Sequence, residues 1–174
     1  MALDPPGRSY LDELQADGVP VHTVGKIGQV FNGVGVDEQH KGSTNAAAMA
    51  ATGELIDSLG GGFVFANLVE TDQVFGHRND VEGFHGALKE IDAAVGEWLT
   101  RLDPENDLLV ITADHGVDPT HPGTDHTREH VPLLARFAGH GGRRHDGPFG
   151  DVGASVLRWL AGRDAPELPG TPFT

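Results

Sequence analysis

Residues 107–116 read DLLVITADHG, an apolar run that ends abruptly in an acid, an imidazole and a glycine. Such continuous apolar sequence, with Val110 and Ile111 at its centre, predicts a strand covered on both faces rather than one that alternates between core and water. Strands of this kind belong to α/β layer structures, in which ligands gather in the crevice beyond the strands' carboxyl ends. Asp114 and His115 are therefore expected at a site.

The segments on either side extend the same pattern. SYLDELQADG (9–18) predicts a short helix with Ser9 as N-cap and Gly18 as stop, and VPVHTVG (19–25) a strand. STNAAAMAATGELIDSLGG (43–61) opens on hydroxyl side chains, runs through alanine and ends in glycines, which predicts a helix leading into an apolar strand, GFVFANLVE (62–70). Asp80 caps the longest helix, VEGFHGALKEIDAAVGEWLTRL (81–102), whose Val81, Phe84, Leu88, Ile91, Val95, Trp98 and Leu102 recur at helical spacing and are expected to face the core. VPLLARFAG (131–139) predicts another strand and DVGASVLRWLAG (151–162) a closing helix, with GHGGRRHDGPFG (139–150) as a surface loop between them. Helices alternating with apolar strands predict an α/β fold, a layered and largely parallel sheet flanked by helices. The 174 residues suffice for one domain, 1–174, with a real core.

Composition narrows the function. Twelve Lys plus Arg against twenty-six Asp plus Glu give a net charge of −14, which argues against nucleic acid and against an anionic membrane surface as partners. With no cysteine, any metal must be held by oxygen and imidazole nitrogen. The chain has no apolar run of about eighteen residues and no signal-peptide pattern at its start, so a soluble, cytoplasmic protein is expected.

The chemistry collects beyond two strands. FANLVE runs into TDQVFGHRND (71–80), which supplies Asp72 and His77, and LLVIT runs into Asp114 and His115, with His126 following in the same loop. Residues 112–132, TADHGVDPTHPGTDHTREHVP, hold three Asp and four His. Alone, Asp72 reads as a helix cap or turn former. Together the five residues form the oxygen and nitrogen donor mix of Mn, Fe and Zn sites and could hold two ions a few ångströms apart, an arrangement suited to phosphoryl transfer. Arg78 and Arg128, beside these residues, are candidates for bidentate phosphate binding. Lys26, in the glycine-bearing VGKIGQVFNG (24–33), reads either as a phosphate contact or as an exposed side chain. Asp118, His121 and Asp125 lie among turn formers and are expected only to shape the loop. His130 begins the predicted strand and reads as a supporting partner or a buried core residue. His85, His140 and His145 read as solvated surface, and His22 and His40 are left without a role.

VGKIGQVFNG, NLVETDQVFGHRND, ITADHGVDPTHPGTDHTREHVPLL and the terminal GTPF together resemble the phosphopentomutases, members of the alkaline-phosphatase-like metalloenzymes. The resemblance runs from about residue 3 to the end, and PGTDHTREHVP separates it from the phosphoglycerate mutases, which share the shorter TADHG. It implies an alkaline-phosphatase-like core, interconversion of ribose or deoxyribose 1-phosphate and 5-phosphate, and two divalent ions, Mn foremost and Zn as the alternative. It further implies that Asp72, His77 and His126 ligate one ion, and Asp114 and His115 the other.

The family's nucleophilic threonine and a further metal-binding aspartate belong to a segment preceding everything present here, as does the cap domain. The core is accordingly expected to be incomplete and inactive alone, with self-association or a second chain supplying the N-terminal segment. Thr112, Thr120, Thr124 and Thr127 do not sit at a strand-to-helix turn, so no catalytic residue is assigned. KGSTNAAAM and Val117 depart from the family's pattern, which bears on substrate contacts. Two other readings stand beside the isomerase: a non-catalytic metal- or phosphate-binding module, and a structural Zn site.

Overall fold

The computed structural model describes residues 3–139 and 141–174. Strand β1 (Val21–Val24) is buried at every position because it lies in the middle of a three-stranded parallel sheet, between β2 (Glu38–His40) and β3 (Phe63–Ala66). Helix α1 (Tyr10–Ala16) precedes β1; the single helical turn α2 (Ile27–Val30) and then α3 (Asn45–Ser58) follow it. Next come α4 (Val81–Arg101), the strands β4 (Leu109–Ile111) and β5 (Leu134–Arg136), and α5 (Gly150–Ala161).

Alternation along β1 divides the core. One cluster joins Val21 to Leu11 and Leu14 of α1 and to Val156 and Leu157 of α5, while the other joins Val24 to Ala48 and Leu55 of α3. The helices start where the sequence places them. Ser9 and Asp12 form a reciprocal capping box on α1, Thr44 caps α3, and Asp80 caps α4. Gly18 ends α1 in the left-handed region at φ +75. The terminal GTPF segment is tied down onto α5, where Asp151 Oδ1 accepts from the Thr171 amide at 2.7 Å and Ser155 Oγ accepts from the Phe173 amide at 2.9 Å.

The expected parallel sheet flanked by helices is formed by β1–β3, two features are added to it and three sequence expectations are corrected. Strands β4 and β5 pair antiparallel as a separate ribbon. Residues 112–133, between β4 and β5, are long enough for a crossover but form no helix, and the Gly116–Thr127 bridge folds them back on themselves so that β5 returns antiparallel to β4. Strand β2 carries no apolar signal, because its three residues are polar. On α4, Ala87 and Trp98 are buried but Val81 and Leu88 remain 47% and 46% exposed, since the helix is covered mainly by α3 and by the segment around Thr71–Phe75. His130 lies ahead of β5 in irregular chain and is exposed, so it is not a core residue. His145 is not free surface: its Nε2 is 2.7 Å from Oδ2 of the buried Asp151. His85 is exposed, as expected, and His140 lies outside the described residues. No described helix is long and apolar enough to cross a membrane.

Asp37 anchors the start of β1. Its carboxylate accepts from the Val21 amide at 2.8 Å and from Gln15 Nε2 at 2.7 Å, and these bonds, the backbone one foremost, hold its pKa below the usual range. A depressed carboxyl pKa contributes stability that is present above the unfolded-state value and lost as pH falls through the folded one. Asp37→Ala is expected to lower the melting temperature at neutral pH by about 2–4 °C, corresponding to about 1 kcal/mol. The difference should shrink below about pH 4; a deficit that persists undiminished in acid would point to lost packing instead.

Candidate metal centre

The chain leaving β3 turns directly into the site. Glu70 and Asn45 exchange hydrogen bonds, the Asn45 amide to Glu70 Oε2 at 2.6 Å and the Glu70 amide to Asn45 Oδ1 at 3.0 Å, which pins this exit to the start of α3. A π-helical turn, Thr71–Phe75, then carries Asp72, and a 3₁₀ turn, Gly76–Arg78, carries His77. Single π turns recur at functional positions because the extra residue redirects side chains that an α-helix would stack. Asn79 closes the turn in the left-handed region at φ 54, which asparagine tolerates better than most residues.

The long loop after β4 is folded back over these turns. An isolated bridge pairs Gly116 with Thr127, whose amide donates to the Gly116 carbonyl at 3.0 Å. A Cβ at Gly116 would stand 2.8 Å from the Thr127 carbonyl oxygen, so glycine is needed here for the loop's own closure. Asn79 Nδ2 donates to the carbonyls of Pro119 and His121 at 3.2 and 3.0 Å, holding the middle of the loop. Asp118 works as a turn former: its Oδ1 accepts from the Thr120 hydroxyl and amide, and these bonds hold its pKa below the usual carboxylate range. Asp125 and His121 are exposed.

These contacts bring Asp72, His77 and His126 together. Asp72 Oδ1 is 3.2 Å from His77 Nε2 and 3.5 Å from His126 Nε2, and the three groups offer ligand atoms all within 4.8 Å of one another. His77 Nδ1 is bonded to the Thr124 carbonyl. A carbonyl only accepts, so Nδ1 carries the proton and Nε2 presents a lone pair toward Asp72, the tautomer a metal ligand requires. His115 is oriented likewise, with Nδ1 3.2 Å from the Gly116 carbonyl, and its ring stacks on His126 at 3.6 Å between centroids.

Asp72 Oδ1 is buried and has no hydrogen-bond donor. A buried acceptor left without a partner is costly, and a cation among these three side chains would satisfy it, so the residues present fit a divalent ion. Asp114 stands further out, 83% exposed, with Oδ1 3.7 Å from His115 Nε2. Arg78 and Arg128 are exposed and make no ion pair with another described residue. Lys26 is half-buried at the start of α2, just past the carboxyl end of β1. Sequence reasoning missed Asn45, Glu70, Asn79 and the Thr124 carbonyl. Only Asn79, in the turn-forming pair Asn79–Asp80, carried a local signal.

An α/β layer that gathers carboxylates and imidazoles beyond its strand ends carries the donor set of metal-dependent proteins. The chain belongs to the metalloenzyme superfamily, whose family model matches residues 16–162. It is 45% identical over 164 residues to the phosphopentomutase of Anaeromyxobacter dehalogenans, covering 93% of this chain and 42% of that protein. With the phosphopentomutase of Caldanaerobacter subterraneus it shares 50% identity over 133 residues, 76% of this chain and 34% of the relative. The chain thus spans less than half the length of these curated relatives. Among solved structures, the PH0037 protein of Pyrococcus horikoshii superposes with a TM-score of 0.60 at 23% identity, covering 72% of this chain and 40% of that one, a likeness of fold.

Proposed function

We propose that this chain carries the metal-binding part of a phosphopentomutase-type isomerase acting on ribose or deoxyribose 1-phosphate and 5-phosphate in the cytoplasm. The observation that carries the reading is the convergence of Asp72, His77 and His126 on an unpartnered carboxylate oxygen, in a chain 45% identical to a phosphopentomutase. On this reading Asp72, His77 and His126 hold one divalent ion, and Asp114 and His115 contribute to a second, with Mn as the expected metal and Zn as the alternative. Two such ions would supply charge neutralisation and alignment for phosphoryl transfer. Lys26, Arg78 and Arg128 receive the phosphate; the two arginines make no ion pair with another described residue. The Thr124 carbonyl keeps His77 in its ligating tautomer. No threonine of this chain is assigned the nucleophile's role: Thr120 is tied to Asp118, and the hydroxyl of Thr127 is buried.

Conversion of ribose 1-phosphate, followed by ³¹P NMR with Mn present, tests this for the chain alone and mixed with the N-terminal segment of a phosphopentomutase. Turnover that disappears in Asp72→Ala supports an isomerase. Metal binding without turnover in either arrangement supports a non-catalytic metal- or phosphate-binding module. We further propose self-association or pairing with another chain, because β3 is hydrogen-bonded on one side only among the described residues and unpaired strand edges recruit partners. A strictly monomeric species by light scattering across a wide concentration range would count against it.

A further inference from the structure

We propose that His22, Glu38 and His40 form a second centre for a divalent transition metal, of the Zn type, on the face of the parallel sheet. The register of β1 and β2 sets His22 opposite Glu38 and Val24 opposite His40, so Glu38 and His40, two residues apart, share the face that His22 occupies. His22 Nδ1 is 3.0 Å from His40 Nε2. Glu38 reaches both, with Oε2 3.8 Å from His22 Nδ1 and Oε1 3.8 Å from His40 Nε2. The ligand atoms of all three lie within 4.8 Å of one another.

Zinc binds nitrogen and carboxylate oxygen at about 2.0–2.2 Å, so two ring nitrogens at this separation can be spanned by one ion, with the glutamate swinging in to close it. Two imidazoles and one carboxylate favour Zn and its transition-metal neighbours over Ca or Mg, which prefer oxygen alone. His22 is buried and sits in the middle strand, giving the centre a rigid wall, while Glu38 is exposed enough, at 62%, to leave coordination positions open to water. The placement also suits a clip. Strand β2 has no apolar side chain to hold it against the fold, and it follows the segment that bears α2 and Lys26, so a shared ion would fasten that segment at both ends.

The alternative for the same geometry is a simple hydrogen bond between two imidazoles, one donating and one accepting. Zinc titration of the metal-stripped full chain carrying Asp72→Ala, His115→Ala and His126→Ala separates these, because those substitutions remove ligands from both positions of the other site and leave this cluster. One Zn per chain by calorimetry is expected, together with visible ligand-field bands when Co replaces Zn. His22→Asn and, separately, His40→Asn should each weaken Zn binding by at least about tenfold, since even losing the residue that orients a ligand costs that much. Glu38→Gln, at an exposed position, should weaken it in the same direction without disturbing the fold. Absence of Zn binding in the triply substituted chain, or binding indifferent to all three further substitutions, overturns the proposal whatever the fate of the Asp72 cluster.

Discussion

Titrated with Mn, the metal-stripped chain is expected to show one tight binding event that His126→Ala abolishes, weakening it by on the order of 100-fold or more. His115→Ala should leave most of that event intact. The difference follows from the geometry: His126 Nε2 faces Asp72 Oδ1 directly at 3.5 Å, whereas His115 touches the cluster through the stacked face of His126. A weaker second event is expected from Asp114 and His115, because Asp114 is 83% exposed and must be drawn in from water. Asp72→Ala should lose the tight event without lowering the melting temperature of the metal-free chain, since it also removes a buried oxygen that has no donor. Because the His22, Glu38 and His40 cluster offers the same two imidazoles and one carboxylate, every chain in this comparison also carries His40→Asn. A tight event that survives His126→Ala and vanishes with His115→Ala would mean the two positions have been assigned the wrong way round.

Leu157→Ala is expected to cost about 3 kcal/mol and about 6–12 °C in melting temperature. Leu157 is fully buried in the cluster that binds α5 to α1 and to β1, alongside Leu14 and Val21, so truncation leaves a cavity that rigid neighbours on three elements cannot collapse to fill. Leu88→Ala on α4, by contrast, should cost well under half as much because Leu88 is already 46% exposed. Thermal unfolding of the two variants checks the ranking, and equal losses would show that α4 is covered by contacts the isolated chain forms in solution.

What could be read from the sequence was whatever is governed by neighbours along the chain. The N-cap at Ser9, the hydroxyl opening of α3, the cap at Asp80, the stop at Gly18 and the apolar strands β1, β3 and β4 all obey rules that span only a few residues. The candidate residues were legible for a related reason: acids and imidazoles that follow apolar strands have nothing to do for the core, so Asp72, His77, Asp114, His115 and His126 stood out by residue type, and the resemblance to phosphopentomutases grouped them. Tertiary structure alone decided which of them meet. Asp72 and His77 lie on a turn beyond β3 and His126 on a loop beyond β4, and they converge only because Asn79 and the Gly116–Thr127 bridge fold that loop back. Nothing local marks a backbone carbonyl such as that of Thr124, yet it sets the tautomer of His77. The polar strand β2, the pairing of β4 with β5 and the juxtaposition of His22 with His40 were likewise invisible, because strand partnership depends on register between segments far apart in the chain, and no periodicity within one segment records the register of another.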